Sequence, residues 1–334
     1  MNIDSLEAVQ LGDTTQWIRV RAEDPSNPVL LLIQQGPGLP MINEARGFEA
    51  TLGLERDFIV VYWDQRGCGR SLRGPKDSEG ISLQSMVNDT VALMVLLSDR
   101  FNSGLFVAGF SLGATIGALA CARRPDLVTA LIATGVDIDG VAAAHSAYDF
   151  ALGTARKRKN KRAVRQLTNI GEPPHVNVSQ FGTRVRWASN FGGVTANQSY
   201  AGIARSLIVS LMRSSDYSLG DVVRTLRGVT ATQGALLPEI NELYLDDLLP
   251  SIDVPVVMVQ GRSDMVAPSD AAVRYFNALE SPSKQLVWFE SSAHTPQLER
   301  RNGVLRPNRP HPPLDGHFRR ATGAQRQVAR TANS

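Results

Sequence analysis

Four runs of apolar residues, each about as long as a β-strand, occupy the first 135 residues and most constrain the fold. They read PVLLLIQ (28–34), DFIVVYWDQRG (57–67), GLFVAGF (104–110) and TALIATG (129–135). Strands without alternation of apolar and polar residues are typical of a parallel sheet buried on both faces. Segments with helical spacing or composition lie between them, at 82–101 and 111–124. The order therefore predicts an α/β fold with a mostly parallel, twisted sheet and helices on both faces.

The sheet pattern has an extra hairpin before it and an interruption within it. Residues 7–22 alternate around Gly12-Asp13, as a β-hairpin would. After 136 the chain becomes polar and helix-like, and apolar strands resume only at 254–261 and 284–291. A helical block that interrupts a parallel sheet predicts an insertion over the edge of that sheet. We expect core segments at 1–136 and 249–299, and a helical cap at 137–248.

Residues 300–334 differ in composition from the rest of the chain. They hold eight arginines and one acid, a local charge of +7, so the net charge of +3 leaves −4 for the first 299 residues. Many prolines and glycines, few large apolar residues and no periodicity predict disorder. A shifted reading frame would produce the same abrupt change, and that interpretation stays open. Aromatic residues are nearly absent there, which argues against nucleic-acid binding through stacking.

The rest of the composition limits compartment and cofactors. No apolar run approaches the ~18 residues needed to span a membrane. The N-terminus MNIDSLEAVQLGDTT has neither the basic start nor the apolar segment of a signal peptide. Cys68 and Cys121 have no metal-type spacing and are interpreted as free buried thiols. We expect a cytoplasmic protein that needs no metal or other cofactor and acts on a small molecule or short peptide; the oligomeric state stays open.

The strongest chemical signal is the segment AGFSLGA at 108–114. Gly109, Ser111 and Gly113 fit the pattern G-x-S-x-G between a buried strand and a helix, which is the context that a nucleophilic serine turn requires. The N-terminus of the following helix directs its N–H groups toward charge that forms beside Ser111. The alternative is a glycine-flanked turn needed only for helix–sheet packing.

A nucleophilic serine needs a base, and the base needs an orienting carboxylate. Of the five histidines, His294 alone follows a core strand; the others lie in the insertion or in the tail. Asp264 lies in the loop after the preceding strand, and Asp246 and Asp247 are weaker candidates because no buried strand precedes them. A surface-loop histidine and a turn-forming aspartate are the alternatives. We predict Ser111 as nucleophile, His294 as base and Asp264 as its partner.

Several segments together resemble the proline iminopeptidase group of α/β-hydrolases. They are QQGPG (34–38), VVYWDQRGCGRS (60–71), GFSLG, GRSD (261–264) and the loop histidine. The resemblance covers roughly 1–135 and 250–299, and DQRGCGRS distinguishes this group from most other α/β-hydrolases. It implies an α/β-hydrolase fold with a helical cap. The chain departs from the group at Gln34 and Gln35, which stand in place of His-Gly, and after His294, where a closing helix is expected.

Overlaying the motifs places the second oxyanion donor at the N–H of Gly36. The assignment is reasonable because Pro37 has no N–H and glycine allows close approach of a ligand. The first donor is then the N–H of Leu112, directly after the nucleophile. Gln34 and Gln35 add bulk and amide groups beside the reacting centre, so we expect a substrate pocket that differs from that of the aminopeptidases. We expect Gln35 to contact the substrate.

The resemblance also predicts how a substrate amino group is bound. Aminopeptidase members use cap carboxylates, one of them a glutamate that follows a tryptophan; here Trp187, an expected substrate contact, is followed by Ala188. Asp64 and Arg66 are interpreted as buried scaffolding rather than as catalysts. The possible replacements for the missing cap glutamate are Glu172, Asp216, Glu239 and Glu242.

Three functions remain compatible with these residues. The first is a serine hydrolase that forms an acyl-enzyme on a small substrate, as an aminopeptidase or amidase of the proline iminopeptidase type. The second is an esterase or lactonase that acts on a small acyl substrate. The third, from another class, is a non-catalytic binder of a small ligand on the same fold.

Overall fold

The computed structural model describes residues 2–36, 38–74 and 79–296, in which eight strands form one sheet. The strands are β1 Ile3–Leu11, β2 Thr14–Ala22, β3 Val29–Ile33, β4 Ile59–Asp64, β5 Leu105–Phe110, β6 Val128–Thr134, β7 Val256–Gly261 and β8 Lys284–Phe289. Their order across the sheet is β1-β2-β4-β3-β5-β6-β7-β8. The β1–β2 and β2–β4 pairs are antiparallel, and every other neighbouring pair is parallel. The predicted hairpin and mostly parallel sheet are therefore confirmed.

The side chains of the central strands are buried on both faces of the sheet. In β3, Val29, Leu31 and Ile33 belong to one hydrophobic cluster, whereas Leu30 and Leu32 belong to another. None of the five is more than 1% exposed. Burying an aliphatic side chain contributes about 1.5–3 kcal/mol. Since neither face of β3 meets water, its sequence shows no polar alternation.

Ten α-helices accompany the sheet within the described residues. They are α1 Ala45–Leu52, α2 Leu83–Phe101, α3 Leu112–Arg123, α4 Gly140–Lys157, α5 Lys161–Ile170, α6 Val178–Asn190, α7 Tyr200–Arg213, α8 Leu219–Glu242, α9 Leu245–Leu248 and α10 Ser269–Ala278. Buried residues of α2, α3 and α10 complete one cluster. The other cluster includes residues of α1 and, from the segment between β6 and β7, Leu211, Tyr217 and Val222.

The segment between β6 and β7 consists of helices α4 to α9 joined by loops. A small hydrophobic cluster of its own includes Tyr148, Leu167 and Trp187. Both cysteines are free and buried, as predicted. Within the described ranges, no helix is long and apolar enough to cross a membrane. The tail predicted to be disordered, 300–334, lies outside the described residues.

Candidate active site

Ser111 lies in the sharp turn between β5 and α3. Its backbone has φ 53° and ψ −129°, a conformation that costs about 1–3 kcal/mol and persists where packing fixes it. A Cβ at Gly109 would lie 2.5 Å from the Cα of Ala114, and a Cβ at Gly113 would lie 2.3 Å from the carbonyl oxygen of Gln34. Helix α3 therefore packs so closely against β5 and the end of β3 that both positions require glycine.

Ser111, His294 and Asp264 form one chain of hydrogen bonds. The Nε2 of His294 lies 2.9 Å from the Oγ of Ser111, and its Nδ1 lies 2.8 Å from the Oδ2 of Asp264. All three residues are buried. When Nδ1–H donates to the carboxylate, Nε2 is left as the acceptor for the serine proton. The arrangement can therefore remove a proton from Ser111.

Both oxygens of the Asp264 carboxylate accept further hydrogen bonds. The backbone N–H groups of Val266 and Ala267 each donate to Oδ1 at 2.8 Å, and the Gln260 amide donates to Oδ2 at 3.2 Å. The bond to Val266 is the aspartate turn considered as the alternative interpretation. The turn and the contact with His294 occur together, because each uses a different oxygen.

A loop of the inserted segment, residues 193–195, contacts the loops that carry Asp264 and His294. The N–H of His294 donates to the carbonyl oxygen of Val194 at 2.9 Å, and the N–H of Met265 donates to that of Gly193 at 3.1 Å. On the opposite side, a Cβ at Gly261 would lie 1.9 Å from the carbonyl oxygen of Ala293. The loop before His294 is thus held between the insertion and the end of β7.

A fourth residue, Asp137, lies beside Ser111 and was not identified from the sequence. Its Oδ2 is 3.4 Å from the Oγ of Ser111. Burial raises the pKa of Asp137 to about 6; the nearby His294 opposes the increase, and Asp264 adds to it. The sequence signal was a short acidic segment, GVDID, directly after the fourth buried strand.

The pKa of the His294 imidazole is raised above its ordinary value. Burial alone would lower it, but the negative charge of Asp264, the hydrogen bond to that carboxylate and the charge of Asp137 outweigh the burial. An imidazolium formed by taking the proton of Ser111 is therefore stabilised by neighbouring carboxylates.

The backbone N–H groups of Gly36 and Leu112, the two predicted oxyanion donors, have no acceptor among the described residues. Leu112 is the first residue of α3, so its N–H has no partner within the helix. Gly36 has φ 64°, a conformation in which a side chain is strained. Pro37, the next residue of the motif, lies outside the described residues. Both predicted donors are free to bind an anion.

The side chain of Gln34 holds the loop after β3. Its Oε1 accepts a hydrogen bond from the N–H of Gln35 at 2.7 Å, and its Nε2 donates to the carbonyl oxygen of Pro40 at 2.7 Å. These two bonds link the start and the end of the segment that contains Gly36. Gln34 therefore fixes the backbone of the predicted oxyanion loop.

Replacing Gln34 with alanine should lower kcat about tenfold, because a mobile loop loses part of the ~10²–10³ factor contributed by one oxyanion donor. Unfolding in urea should show a loss of only about 1–2 kcal/mol from the two hydrogen bonds. In Gln35→Ala the contacts of Gln34 remain, and kcat should change much less. Equal kcat losses in the two variants would contradict this role for Gln34.

Asp64 and Arg66 are buried in hydrogen-bond networks, as the scaffolding interpretation predicted. Arg66 binds both carboxylate oxygens of Asp89, at 2.7 and 2.8 Å. Asp64 accepts bonds from backbone N–H groups, including that of Met41 at 2.8 Å, and from the hydroxyl of Tyr217 at 2.6 Å. These contacts tie the end of β4 to the loop after β3 and to the insertion.

A cavity of about 630 Å³ lies next to the candidate catalytic residues. It reaches Phe110 and Thr295, which adjoin Ser111 and His294 in sequence, although Ser111, His294 and Asp264 do not line it. Gln35 lines it, and its contact with a substrate stays a prediction. Its walls come mainly from the loop after β3, from α1 and from α7.

Trp187 does not line this cavity, in contrast to the prediction. It is stacked on Phe191, with 5.6 Å between ring centroids, and its Nε1 donates to the Oε1 of Gln166 at 3.0 Å. It belongs to the hydrophobic cluster shared by α4, α5 and α6. Its large apolar ring is used for packing within the insertion.

The four carboxylates considered as substitutes for a cap glutamate also lie away from the cavity wall. Asp216 binds Arg19 at 2.8 Å, and Glu239 accepts a bond from the N–H of Leu83 at 3.1 Å. Glu172 and Glu242 are exposed. Among the described residues, no group of three or more potential ligands could hold a metal ion.

The model of the alpha/beta hydrolase fold family matches residues 28–301 of this chain. The probable aminopeptidase YbaC of Bacillus subtilis (strain 168) is 26% identical to it over 300 residues, which cover 89% of this chain and 93% of that protein.

Solved structures of other hydrolases have the same architecture. The proline iminopeptidase of Mycobacterium smegmatis matches with a TM-score of 0.60 and 20% identity, covering 90% of this chain and 94% of that one. Est816, described as an N-acyl homoserine lactone degrading enzyme, matches with a TM-score of 0.58 and 17% identity. The match covers 89% of this chain and 96% of that one. At these identities the likeness concerns the fold, and it confirms the predicted architecture.

Proposed function

Because the chain belongs to the alpha/beta hydrolase fold family, and is accordingly a hydrolase, we propose that it works as a serine hydrolase through an acyl-enzyme. The observation that carries the proposal is the continuous chain Asp264–His294–Ser111, with distances of 2.8 and 2.9 Å. A buried histidine between a buried carboxylate and a strained serine has no evident structural purpose, and the combination fits nucleophilic catalysis.

In the proposed mechanism, His294 Nε2 takes the proton of Ser111 while Oγ attacks the substrate carbonyl. The N–H groups of Gly36 and Leu112 bind the oxyanion, and each such donor contributes about 3 kcal/mol in the transition state. Imidazolium His294 then protonates the leaving group, which departs and leaves the acyl ester on Ser111. Water, deprotonated by His294, attacks this ester, and the acid and free Ser111 are released.

The proposed substrate is a small peptide or amide from which the N-terminal residue is released. The relative described as a probable aminopeptidase supports this choice, since the match spans 93% of its length. The QQGPG and DQRGCGRS segments, which resemble the proline iminopeptidase group, support it as well.

We also propose that 137–248 forms a cap over a core made of 1–136 and 249–299. Its support is the contact of Gly193 and Val194 with the loops of Asp264 and His294. Part of the cavity wall comes from α7, which belongs to this segment. The cap would then contribute to substrate binding and to the position of the base.

An esterase or lactonase is the second candidate. Gln34 and Gln35 replace the His-Gly of the aminopeptidase motif, and no glutamate follows Trp187. The structure described as a lactone-degrading enzyme shows that this fold also accommodates such chemistry.

Labelling with a fluorophosphonate probe tests the proposed mechanism. We expect covalent modification of Ser111, located by peptide mass spectrometry, and none in Ser111→Ala. Turnover of proline naphthylamide against a short nitrophenyl ester then separates the two substrate classes. Folded protein that stays unlabelled would contradict the mechanism and favour a non-catalytic binder.

The pH dependence of hydrolysis reports the state of His294. Its raised pKa keeps the ring protonated, and therefore inactive as a base, up to a higher pH than the ordinary 6.5. For an ester without ionisable groups, kcat/KM should fall on the acid side with a midpoint above 6.5. A midpoint clearly below that value would contradict the proposed environment of His294.

A further inference from the structure

Asp137 has no role in the mechanism described above, yet its carboxylate adjoins the nucleophile. Its Oδ2 lies 3.4 Å from the Oγ of Ser111. Val136 and Ile138, its neighbours in sequence, are both 3% exposed and belong to the core. The hydroxyl of Thr115 on α3 donates to the backbone oxygen of Asp137 at 2.8 Å. The position of the residue beside Ser111 is thus fixed by packing on both sides and by α3.

The charge of Asp137 is not neutralised by an arginine or a lysine. Within the described residues it forms no ion pair with either. Its Oδ2 lies 3.4 Å from the Oγ of Ser111, whose proton is directed to His294. His294 is bound to Asp264 and makes no hydrogen bond to Asp137. With a pKa of about 6, the side chain is ionised at neutral pH. A largely buried carboxylate of this kind is stabilised when a ligand brings a cation to it.

We propose that Asp137 binds the free α-ammonium group of the substrate residue whose carbonyl is attacked by Ser111. The enzyme then selects unblocked aminoacyl substrates, including those with an N-terminal secondary amine, over the same acyl groups without the amine. This inference rests on the proposed serine hydrolase mechanism.

The geometry of an aminoacyl substrate agrees with this role. Its α-nitrogen is two bonds from the carbonyl carbon, which Oγ approaches to about 3–3.5 Å before attack. An ammonium–carboxylate hydrogen bond is about 2.7–2.9 Å long. A carboxylate oxygen 3.4 Å from Oγ is therefore within reach of the ammonium group of a bound substrate.

Other carboxylates of the chain are less suited to this role. Neither Asp137 nor the four acidic residues considered in the insertion line the cavity, but of these five only Asp137 has a described contact with Ser111, at 3.4 Å. Glu44 does line it, but its Oε1 accepts bonds from the Asn43 amide at 2.7 Å and from the Ser210 hydroxyl at 3.2 Å. Glu44 therefore offers a matched control: a buried carboxylate of the same cavity that hydrogen-bonds to Asn43 and Ser210.

Two boronic acids that differ in one amino group test the proposal directly. Ser111 Oγ adds to boron and transfers its proton to His294, so (α-aminoethyl)boronic acid and ethylboronic acid imitate the tetrahedral intermediate. Protection of Ser111 from the fluorophosphonate probe measures the binding of each. In the wild-type protein, the amino compound should protect at a concentration about 30-fold lower, as expected for one charge-assisted hydrogen bond.

In Asp137→Asn this preference should fall to about threefold or less, with ethylboronic acid nearly unaffected, because the amide keeps the shape but not the charge. In Glu44→Gln the preference should persist. The proposal is overturned if the wild-type protein shows no preference, if Asp137→Asn keeps it, or if both compounds lose affinity equally in that variant.

Different results would contradict the role of Asp137 and the proposed mechanism. Wild-type protein whose Ser111 is not labelled contradicts the mechanism itself. Labelling with equal protection by the two boronic acids contradicts only the role of Asp137, and it requires no variant to fold. The rate of probe labelling in Asp137→Asn, without boronic acid, shows whether the triad of that variant is intact.

Discussion

Replacing Ser111 with alanine should lower kcat by about six orders of magnitude, and adding His294→Ala should lower it no further. The two side chains act as one unit, because the base has no function without the hydroxyl it deprotonates at 2.9 Å. A residual rate about 10³-fold above that of water should remain, since the N–H groups of Gly36 and Leu112 still bind the oxyanion.

Initial rates of ester hydrolysis with wild-type, single-variant and double-variant protein provide the measurement. Ser292→Ala is the matched control, because this buried serine lies two residues before His294 and its hydroxyl has no hydrogen-bond partner among the described residues. Its kcat should be close to that of the wild type. If the fall in kcat in the double variant equals the product of the falls in the two single variants, Ser111 and His294 act independently.

The positions of the three catalytic candidates could be predicted because each follows a strand that the sequence reveals. Apolar runs identify β5, β7 and β8, and the C-terminal ends of parallel strands lie at one edge of a sheet. Ser111, Asp264 and His294 therefore had to converge, whatever the details of the loops. The G-x-S-x-G pattern added the special turn, whose close packing excludes side chains at Gly109 and Gly113.

Asp137 could not be predicted in the same way. It too follows a strand, β6, but no base or nucleophile pattern marks an isolated aspartate in a loop. Its relation to Ser111 depends on the pairing of β5 with β6, which aligns Phe110 with Thr134. That pairing places the chain after β6 beside the serine turn, and only the three-dimensional structure reveals the 3.4 Å contact.

Contacts of the helical insertion were the least predictable. A helix buries whichever face its neighbours cover, and the insertion contains no motif that fixes those neighbours. Trp187 was expected in the substrate site, but it packs against Phe191 inside the insertion. Helices α1 and α10 also escaped prediction, since both are short and follow loops.

The departure from the His-Gly motif has a structural explanation. Gln34 uses its amide within the loop, where it links the N–H of Gln35 to the carbonyl oxygen of Pro40. The sequence suggested that both glutamines would alter the substrate pocket. The two residues instead differ in role: Gln34 holds the backbone, although it also lines the cavity, whereas the predicted substrate contact falls to Gln35.

Replacing Asp64 with alanine should lower the free energy of unfolding by about 4 kcal/mol, because its buried carboxylate satisfies four donors at once. Beyond Met41 and Tyr217, the N–H groups of Ile42 and Arg70 donate to it at 3.0 and 2.8 Å. Asp64 itself is 0% exposed, so water does not replace the lost acceptor.

The matched control, Tyr217→Phe, removes one of these four donors and leaves the carboxylate in place. It should cost about 1 kcal/mol in urea unfolding, since three backbone N–H groups keep their acceptor. If both variants lost a similar free energy of unfolding, the effect of Asp64 would come from its contact with Tyr217. Its bonds to the loop after β3 would then contribute little.

The same carboxylate explains the glycine in DQRGCG: a Cβ at Gly69 would lie 2.0 Å from the Oδ2 of Asp64. This segment therefore has a structural role: Asp64 holds the loop after β3, and its position requires glycine at residue 69 in the loop after β4. Asp64→Ala should accordingly reduce kcat as well as stability, because Met41 and Ile42 anchor the end of the loop that carries Gly36. Tyr217→Phe, with both anchors intact, should retain nearly full activity under the same conditions.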